Sequence, residues 1–193
     1  MEGVAGRPVR AVIDAGWLTL RLFTPDDIPW VYEVSCDPVV RHFVGVPSPY
    51  LPEHAAFFVE TLAIGGWRDG RRLEFLAADA GTGERLGRVG LGLREDGTAE
   101  IGYWVDPRAR GREVATQAVV AACRWAFAAR PLELIEWRAE VGNTASRRVA
   151  EKAGFTIEGT LRSRLVHRGV RVNAWVGSLL RDEVGAPASG GQG

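Results

Sequence analysis

Cysteine is scarce in this chain: Cys36 and Cys123 are the only two in 193 residues, far apart and in unlike surroundings. Two such residues make no disulfide framework, and they fit a reducing compartment. Histidine is equally rare. His42, His54 and His167 are the whole set, and with Cys36 they show no zinc-ligand spacing, so no metal is expected. Net charge is absent too, with 24 Lys plus Arg against 24 Asp plus Glu. That excludes the basic excess that marks general nucleic-acid and membrane-surface binders, so neither partner is expected. No apolar run approaches membrane-spanning length, and no signal-type apolar segment lies near the N-terminus. A GxxxxGK(S/T) phosphate loop is missing, as is a GxGxxG fingerprint with its βαβ unit, which removes the common nucleotide-binding signatures. The plain reading is a soluble cytoplasmic protein.

What is present is globular. Hydrophobic residues make up 46% and charged residues 25%, and seven tryptophans supply packing area. The length suits one domain with a full core. Residues 1–14 and 184–193 are rich in Gly, Pro and Ser and are expected to be poorly ordered, leaving 15–183 as a single domain.

Within it the hydrophobic period changes several times. WLTLRLF (17–23) alternates as a strand. TPDD (24–27) supplies an N-cap, a proline at the first helical position and early acids, so a helix runs to about Ser35. DPVVRHFVGVPSPY (37–50) reads as a long loop, followed by a helix over 52–64. Then 72–79, 84–93 and 98–106 alternate between GTG and EDG turns, an antiparallel meander. An almost continuously apolar helix spans Gly111 to Ala129 and stops at Pro131. A strand over 132–140 precedes a short helix, 143–154, with Asn143 as N-cap and Gly154 as stop. FTIEGTLRSRLV and VRVNAWVGSLL close the chain as a hairpin turning at Arg168–Gly169. This pattern predicts an α+β domain with a mixed, mostly antiparallel sheet of about seven strands flanked by about four helices.

One short stretch, RARGREVATQ (108–117), gathers three arginines and a glycine where the long helix begins. A helix N-terminus carries unpaired N–H groups and partial positive charge, and Gly111 lets backbone come close, so Arg110, Gly111 and Arg112 compose a site for an anion such as phosphate. A solvated, arginine-rich turn accounts for the segment equally well.

A second stretch, VGNTASRRVAEKAGFTIEG, is similar to the second motif of the GNAT superfamily of N-acetyltransferases, and EIGYWVDPRARGREVATQAV is similar to its first, the acetyl-coenzyme A motif. The chain resembles the Rim type in particular, from about Leu18 to Leu180, including LTLRLFTPDD and GSLLRDE. The resemblance implies the GNAT fold and acetyl-CoA as co-substrate. It places the coenzyme's pyrophosphate on Arg110, Gly111, Arg112, Glu113, Val114 and Ala115, and its pantetheine arm along the strand around Trp104 and Val105. Asn143 would cap its helix and touch the same arm. Glu113 stands where the family usually has glycine; an acid in the first helical turn suits the dipole, but beside a pyrophosphate it repels unless it swings outward, toward Arg110 or Arg112, so weaker coenzyme affinity than with glycine is expected.

The implied activity is direct acetyl transfer to a primary amine, either a protein N-terminus or a small molecule, with a homodimer compatible with it. Ser146 matches the motif serine that hydrogen-bonds the coenzyme sulfur, though a serine near a helix start is also common for local reasons. The Rim-type glutamate base falls at Leu165, so that group is missing. His167 lies two residues on, beside the turn, and Glu100, Glu136 and Glu140 are alternative strand carboxylates, of which Glu100 is the named candidate. Cys123 lies within the apolar helix and suggests no covalent intermediate. Because Glu113 and Leu165 depart from the family, a non-catalytic acyl-CoA-binding sensor or partner module is the alternative.

Overall fold

The computed structural model describes residues 12–184. Most of the expected N-terminal and C-terminal segments lie outside these residues. Ile13 and Asp14, expected to be part of a poorly ordered end, instead form a strand, β1 (Ile13–Ala15), which turns through Gly16 onto β2 (Leu18–Arg21). Gly16 has φ 77° and its N–H donates to the Asp14 carboxylate at 2.8 Å, so the turn is locally determined.

The meander follows as β3 (Arg72–Asp79), β4 (Arg85–Leu93) and β5 (Thr98–Val105), then β6 (Leu134–Glu140), β7 (Thr156–His167) and β8 (Val170–Leu180). The sheet has eight strands in the order β1-β2-β3-β4-β5-β6-β8-β7, one more than the sequence pattern gives, the addition being β1. Every neighbouring pair is antiparallel except β5 with β6, which are joined by a helical crossover. β7 is an edge strand whose pairing with β8 slips between Ile157 and Gly159 and again between Leu161 and Leu165.

Helices cover both faces. α1 (Ile28–Ser35) begins after the turn Pro25–Asp27, as its signals predict. The segment read as a loop holds α2 (Pro38–Phe43): Asp37 accepts from the N–H groups of Val39 and Val40, with Pro38 at the first helical position. Those are the start signals also present at Thr24–Pro25, here on a helix of only six residues. The helix expected over 52–64 extends further, as α3 (Pro52–Ala56), a π-helical stretch Phe57–Gly65 and α4 (Gly66–Asp69), ending on Gly70 at φ 70°. α5 (Val114–Ala129) and α6 (Thr144–Lys152) lie on the opposite face. No helix among the described residues is long and apolar enough to cross a membrane.

Each face has its own core. Ala118, Ala122 and Ala126 recur at helical spacing on α5 and bring its backbone close to the sheet, where Val119, Cys123 and Phe127 pack on Leu73, Phe75, Val89 and Ile101. Side chains of opposite parity, Leu76, Ala78 and Trp104, meet Trp30, Val31, Val34 and Val59 on the other face. That second face also buries a charge. Glu74, fully buried on β3, takes two hydrogen bonds at 2.6 Å from Arg88 and one at 2.9 Å from Arg72. Burial alone would raise its carboxyl, but the two guanidiniums outweigh this and lower it. Gly90 is required beneath: a Cβ there would stand 2.0 Å from the Glu74 carboxylate.

Asp27 is the other fully buried acid. It receives Arg21 at 2.8 Å through both terminal nitrogens, Arg85 at 2.7 Å and the Thr24 N–H at 2.9 Å, tying α1 to β2 and β4. Burial raises its carboxyl, but the bonds from Arg21, Arg85 and Thr24 prevail and bring it down to about 2. A pKa below the unfolded value stabilises the fold at higher pH: the contribution is whole above about pH 4 and is lost as pH falls toward about 2. At roughly 1.4 kcal/mol per unit it is worth about 2 kcal/mol at neutral pH. Denaturant titrations should show the stability gap between the wild type and Asp27→Asn narrowing across that acid window. A gap that stays constant would mean the carboxylate charge is not what Asp27 contributes.

Candidate active site

The parallel ladder is short. β5 and β6 pair from Thr98 with Leu134 to Ile101 with Trp137, and there the pairing stops. β5 nevertheless stays on β4 as far as Val105 opposite Gly87, and β6 stays on β8 as far as Glu140 opposite Ala174. Both strands are therefore held by their outer neighbours while their inner edges part. The resulting cleft is a cavity of about 1340 Å³, bordered by Tyr103, Trp104 and Val105 on one side and by Trp137, Arg138, Ala139 and Glu140 on the other.

Peptide groups alternate in direction along an antiparallel strand. The Asp106 N–H donates to the Leu86 carbonyl, and the Trp104 carbonyl is turned to β4, beside Gly87. Val105, with Tyr103 two residues earlier, therefore directs its peptide groups into the cleft. Trp104, named with Val105 from the sequence, does not. Its ring packs on Trp30 at 5.2 Å between centroids.

The turn into α5 is anchored by buried Asp106, which accepts from the Trp30 indole at 2.9 Å and from Arg108. α5 starts at Val114 rather than at the expected Gly111, because Gly111 (φ 77°) and Glu113 (φ 57°) are both left-handed. The three arginines do not converge. Arg110 borders the cleft but pairs with Asp37 of the α2 cap at 2.7 Å. Arg112 points away from it, over Trp17 at 5.4 Å and toward Asp79 and Glu84 at 3.7 Å each. Glu113 pairs with neither arginine. It is the N-cap residue, bonded to Lys152 of α6 at 2.6 Å and to Thr116 at 3.0 Å, and these two bonds lower its carboxyl. Gly111, Val114 and Ala115 line the cleft.

Positive charge comes instead from α6. Ala145, Arg148, Val149 and Lys152 line the cleft at spacings of three and four residues, one face of the helix. Sequence reasoning missed Arg148 and Lys152, although their spacing beside the Asn143 cap was a usable signal.

Asn143 caps α6 as expected, its side chain accepting from the Ser146 N–H at 3.1 Å. This fixes Ser146 at the cleft. Its hydroxyl accepts from the Trp137 indole at 3.1 Å and donates to the Tyr103 hydroxyl at 3.2 Å, while Tyr103 donates to the Ser146 carbonyl at 2.8 Å. Tyr103 belongs to β5 and Trp137 to β6, so Ser146 clasps the two strands just where they separate. Burial raises the Tyr103 phenol well above its ordinary value, so it remains a neutral donor.

On the other face of the sheet the cleft floor is charged. Glu100 is bonded by Arg94 at 2.6 Å and lies 3.9 Å from Arg138, which also binds Glu136. The structure brings Glu100 to the cavity wall but ties its Oε2 to both Arg94 and Arg138, which makes it a weaker proton acceptor than a free carboxylate. Glu140 lies elsewhere on the same wall and meets His167 at 2.6 Å.

These features define an α+β fold with a cleft where its one parallel strand pair among the described residues parts, and comparison with known proteins identifies the family. The Acetyltransferase (GNAT) domain family matches residues 18–156, so the chain belongs to that family. It is 27% identical over 168 residues to the uncharacterised N-acetyltransferase p20 of Bacillus licheniformis, covering 86% of this chain and 94% of that one. Mycobacterium smegmatis RimJ, solved with a CoA disulfide, superposes with a TM-score of 0.81 at 23% identity, over 94% of this chain and 92% of that one. RimL, a ribosomal L7/L12 α-N-protein acetyltransferase solved with coenzyme A, gives 0.80 at 19%, over 88% and 98%. At these identities the structural likeness establishes the fold alone.

The left-handed φ at Glu113 explains why glycine suits this position, and a side chain there costs about 1–2 kcal/mol. Glu113→Gly removes that strain, takes an acid from the phosphate end and frees Lys152. Coenzyme A should then bind about five-fold more tightly, the effect of roughly 1 kcal/mol at an exposed charge. Isothermal titration of the two proteins checks this, and equal affinities would place the phosphates away from this turn.

Proposed function

We propose that the protein transfers an acetyl group from acetyl-CoA directly to a primary amine. The observation that carries this reading is the parting of β5 from β6 with Ser146 clasped across its apex. The unpaired peptide edge at Tyr103 and Val105 fits the amide-bearing pantetheine arm. The α5 turn at Gly111, Val114 and Ala115, with Arg110, Arg148 and Lys152 around it, fits a diphosphate. The thioester would then lie near Ser146, whose hydroxyl would turn its proton from Tyr103 to the departing sulfur, and the acceptor amine would approach from the charged face of the sheet. Most of the rate would come from holding amine and thioester together, with proton transfer adding to it. The free cysteines Cys36 and Cys123 accord with a cytoplasmic site of action.

A protein N-terminus is the favoured acceptor, since RimL is by its description an α-N-protein acetyltransferase. A small-molecule amine is the second possibility. Leu165, in place of a carboxylate, supports the other reading, an acyl-CoA-binding module without turnover.

Thermal unfolding with acetyl-CoA, coenzyme A and ATP separates these readings from nucleotide binding. A ligand at about 100 times its dissociation constant adds about 2.7 kcal/mol, an upward shift of several degrees, expected for both coenzyme A species and not for ATP. Thiol release on adding amines then distinguishes enzyme from sensor. In the enzyme, Ser146→Ala should lower kcat about ten-fold or more, with coenzyme affinity nearly unchanged. An unaltered kcat would remove Ser146 from the chemistry.

A further inference from the structure

β6 ends at Glu140 and β7 ends at His167, 27 residues apart in the chain, yet their side chains meet: Nδ1 of His167 lies 2.6 Å from Oε2 of Glu140. Both are about four-fifths buried, at 19% and 23% exposure, and both line the cleft. Pairing of β7 with β8 is regular from Leu165 to His167, so these two residues share one face of the strand. Leu165 leaves the position without a proton acceptor, and the imidazole stands one strand repeat further along.

We propose that His167 is the general base of the transfer, accepting a proton from the acceptor ammonium at Nε2, with Glu140 as its positioning residue. This rests on the acetyltransferase reading above. A carboxylate at Nδ1 holds the proton there and leaves the Nε2 lone pair outward, and it stabilises the imidazolium once formed. The alternatives in the cleft are committed elsewhere among the described residues: Glu100 to Arg94 and Arg138, and Glu113 to Lys152. His42 of α2 lies 5.0 Å from the His167 ring, but no carboxylate holds it among the described residues. The other charges near the imidazole are Arg138, two residues before Glu140 on β6, and Arg168, whose guanidinium donates to the Arg41 carbonyl at 3.0 Å and ties the hairpin to α2.

The step balances. One proton passes from the ammonium to His167 and on to solvent. The neutral nitrogen adds to the thioester carbonyl, the C–N bond forms and the C–S bond breaks. Of the two protons then left on nitrogen, one ends on the departing sulfur, in contact with Ser146, and the other stays as the amide N–H.

The test uses the full chain with acetyl-CoA and two probes that are ammonium ions near neutrality, a hexapeptide amide with a free α-amino group and benzylamine. An α-amino group has a pKa of about 7.7–8.0, so below that it needs a base. His167→Gln should lower kcat/KM about 10²-fold near pH 6.5. The deficit should shrink as pH rises past the amine's own pKa, with acetyl-CoA affinity retained. Hydroxylamine, neutral at pH 7, should lose far less, which also shows that the variant is folded. Glu140→Gln should displace the acid limb of the profile, and Glu140→Asp should recover part of the rate. A loss that is the same at every pH, or no loss, overturns the base assignment and leaves the acetyltransferase reading intact. Binding of acetyl-CoA by the wild type without transfer to either probe overturns both.

Discussion

Everything functional in this molecule depends on a parallel strand pair that stops early. β5 and β6 form the only parallel ladder among the described strands, four residue pairs long, and α5 lies in the crossover that joins them. Had the ladder continued, the peptide groups of Tyr103 and Val105 would be satisfied within the sheet and no cleft would exist. Buried peptide groups are costly without partners, so the parting is tolerable because it opens onto a cavity that a ligand with its own amides can fill. β4 and β8 keep the parted strands straight, and the Trp137–Ser146–Tyr103 bonds fix the apex.

The two faces of the sheet divide the remaining work. Toward α5 and α6 the surroundings are apolar, apart from the positive residues of α6 and the exposed backbone at the α5 start. On the opposite face β5 and β6 carry Glu100, Glu136, Arg138 and Glu140, while α1 to α4 cover mainly β2 to β5. The arginines there are balanced by carboxylates almost one for one. An amine entering such a surface meets a polar but nearly neutral floor, so binding would rest on hydrogen bonds in defined directions more than on net attraction.

Much of this was legible in the sequence where the signal is local. The meander, the apolar α5, the Asn143 cap and the Arg168–Gly169 turn all follow from periodicity or from a single capping residue, and the structure places them as read except that α5 starts three residues later. β1 was missed because three residues carry no period, and α2 because its start signals stand in a segment dominated by loop formers. Side-chain directions were beyond reach. The left-handed conformations of Gly111 and Glu113 rotate Arg112 out of the cleft, a result that depends on two backbone angles. Likewise Tyr103 with Ser146 and Glu140 with His167 are joined across 43 and 27 residues, distances over which no local pattern operates.

The slipped register of β7 has a further consequence. A twelve-residue strand at the sheet's edge offers a row of open backbone groups, an invitation for another extended chain to dock and propagate a ribbon. Here the row is broken twice, with Gly159 at φ 155° and Ser163 at φ 51° at or near the breaks, and Arg162 and Arg164 set like charges along the middle. An incoming strand would find no continuous stretch to match and would have to bring its own acids. The two slips in register therefore guard this edge against strand-to-strand association.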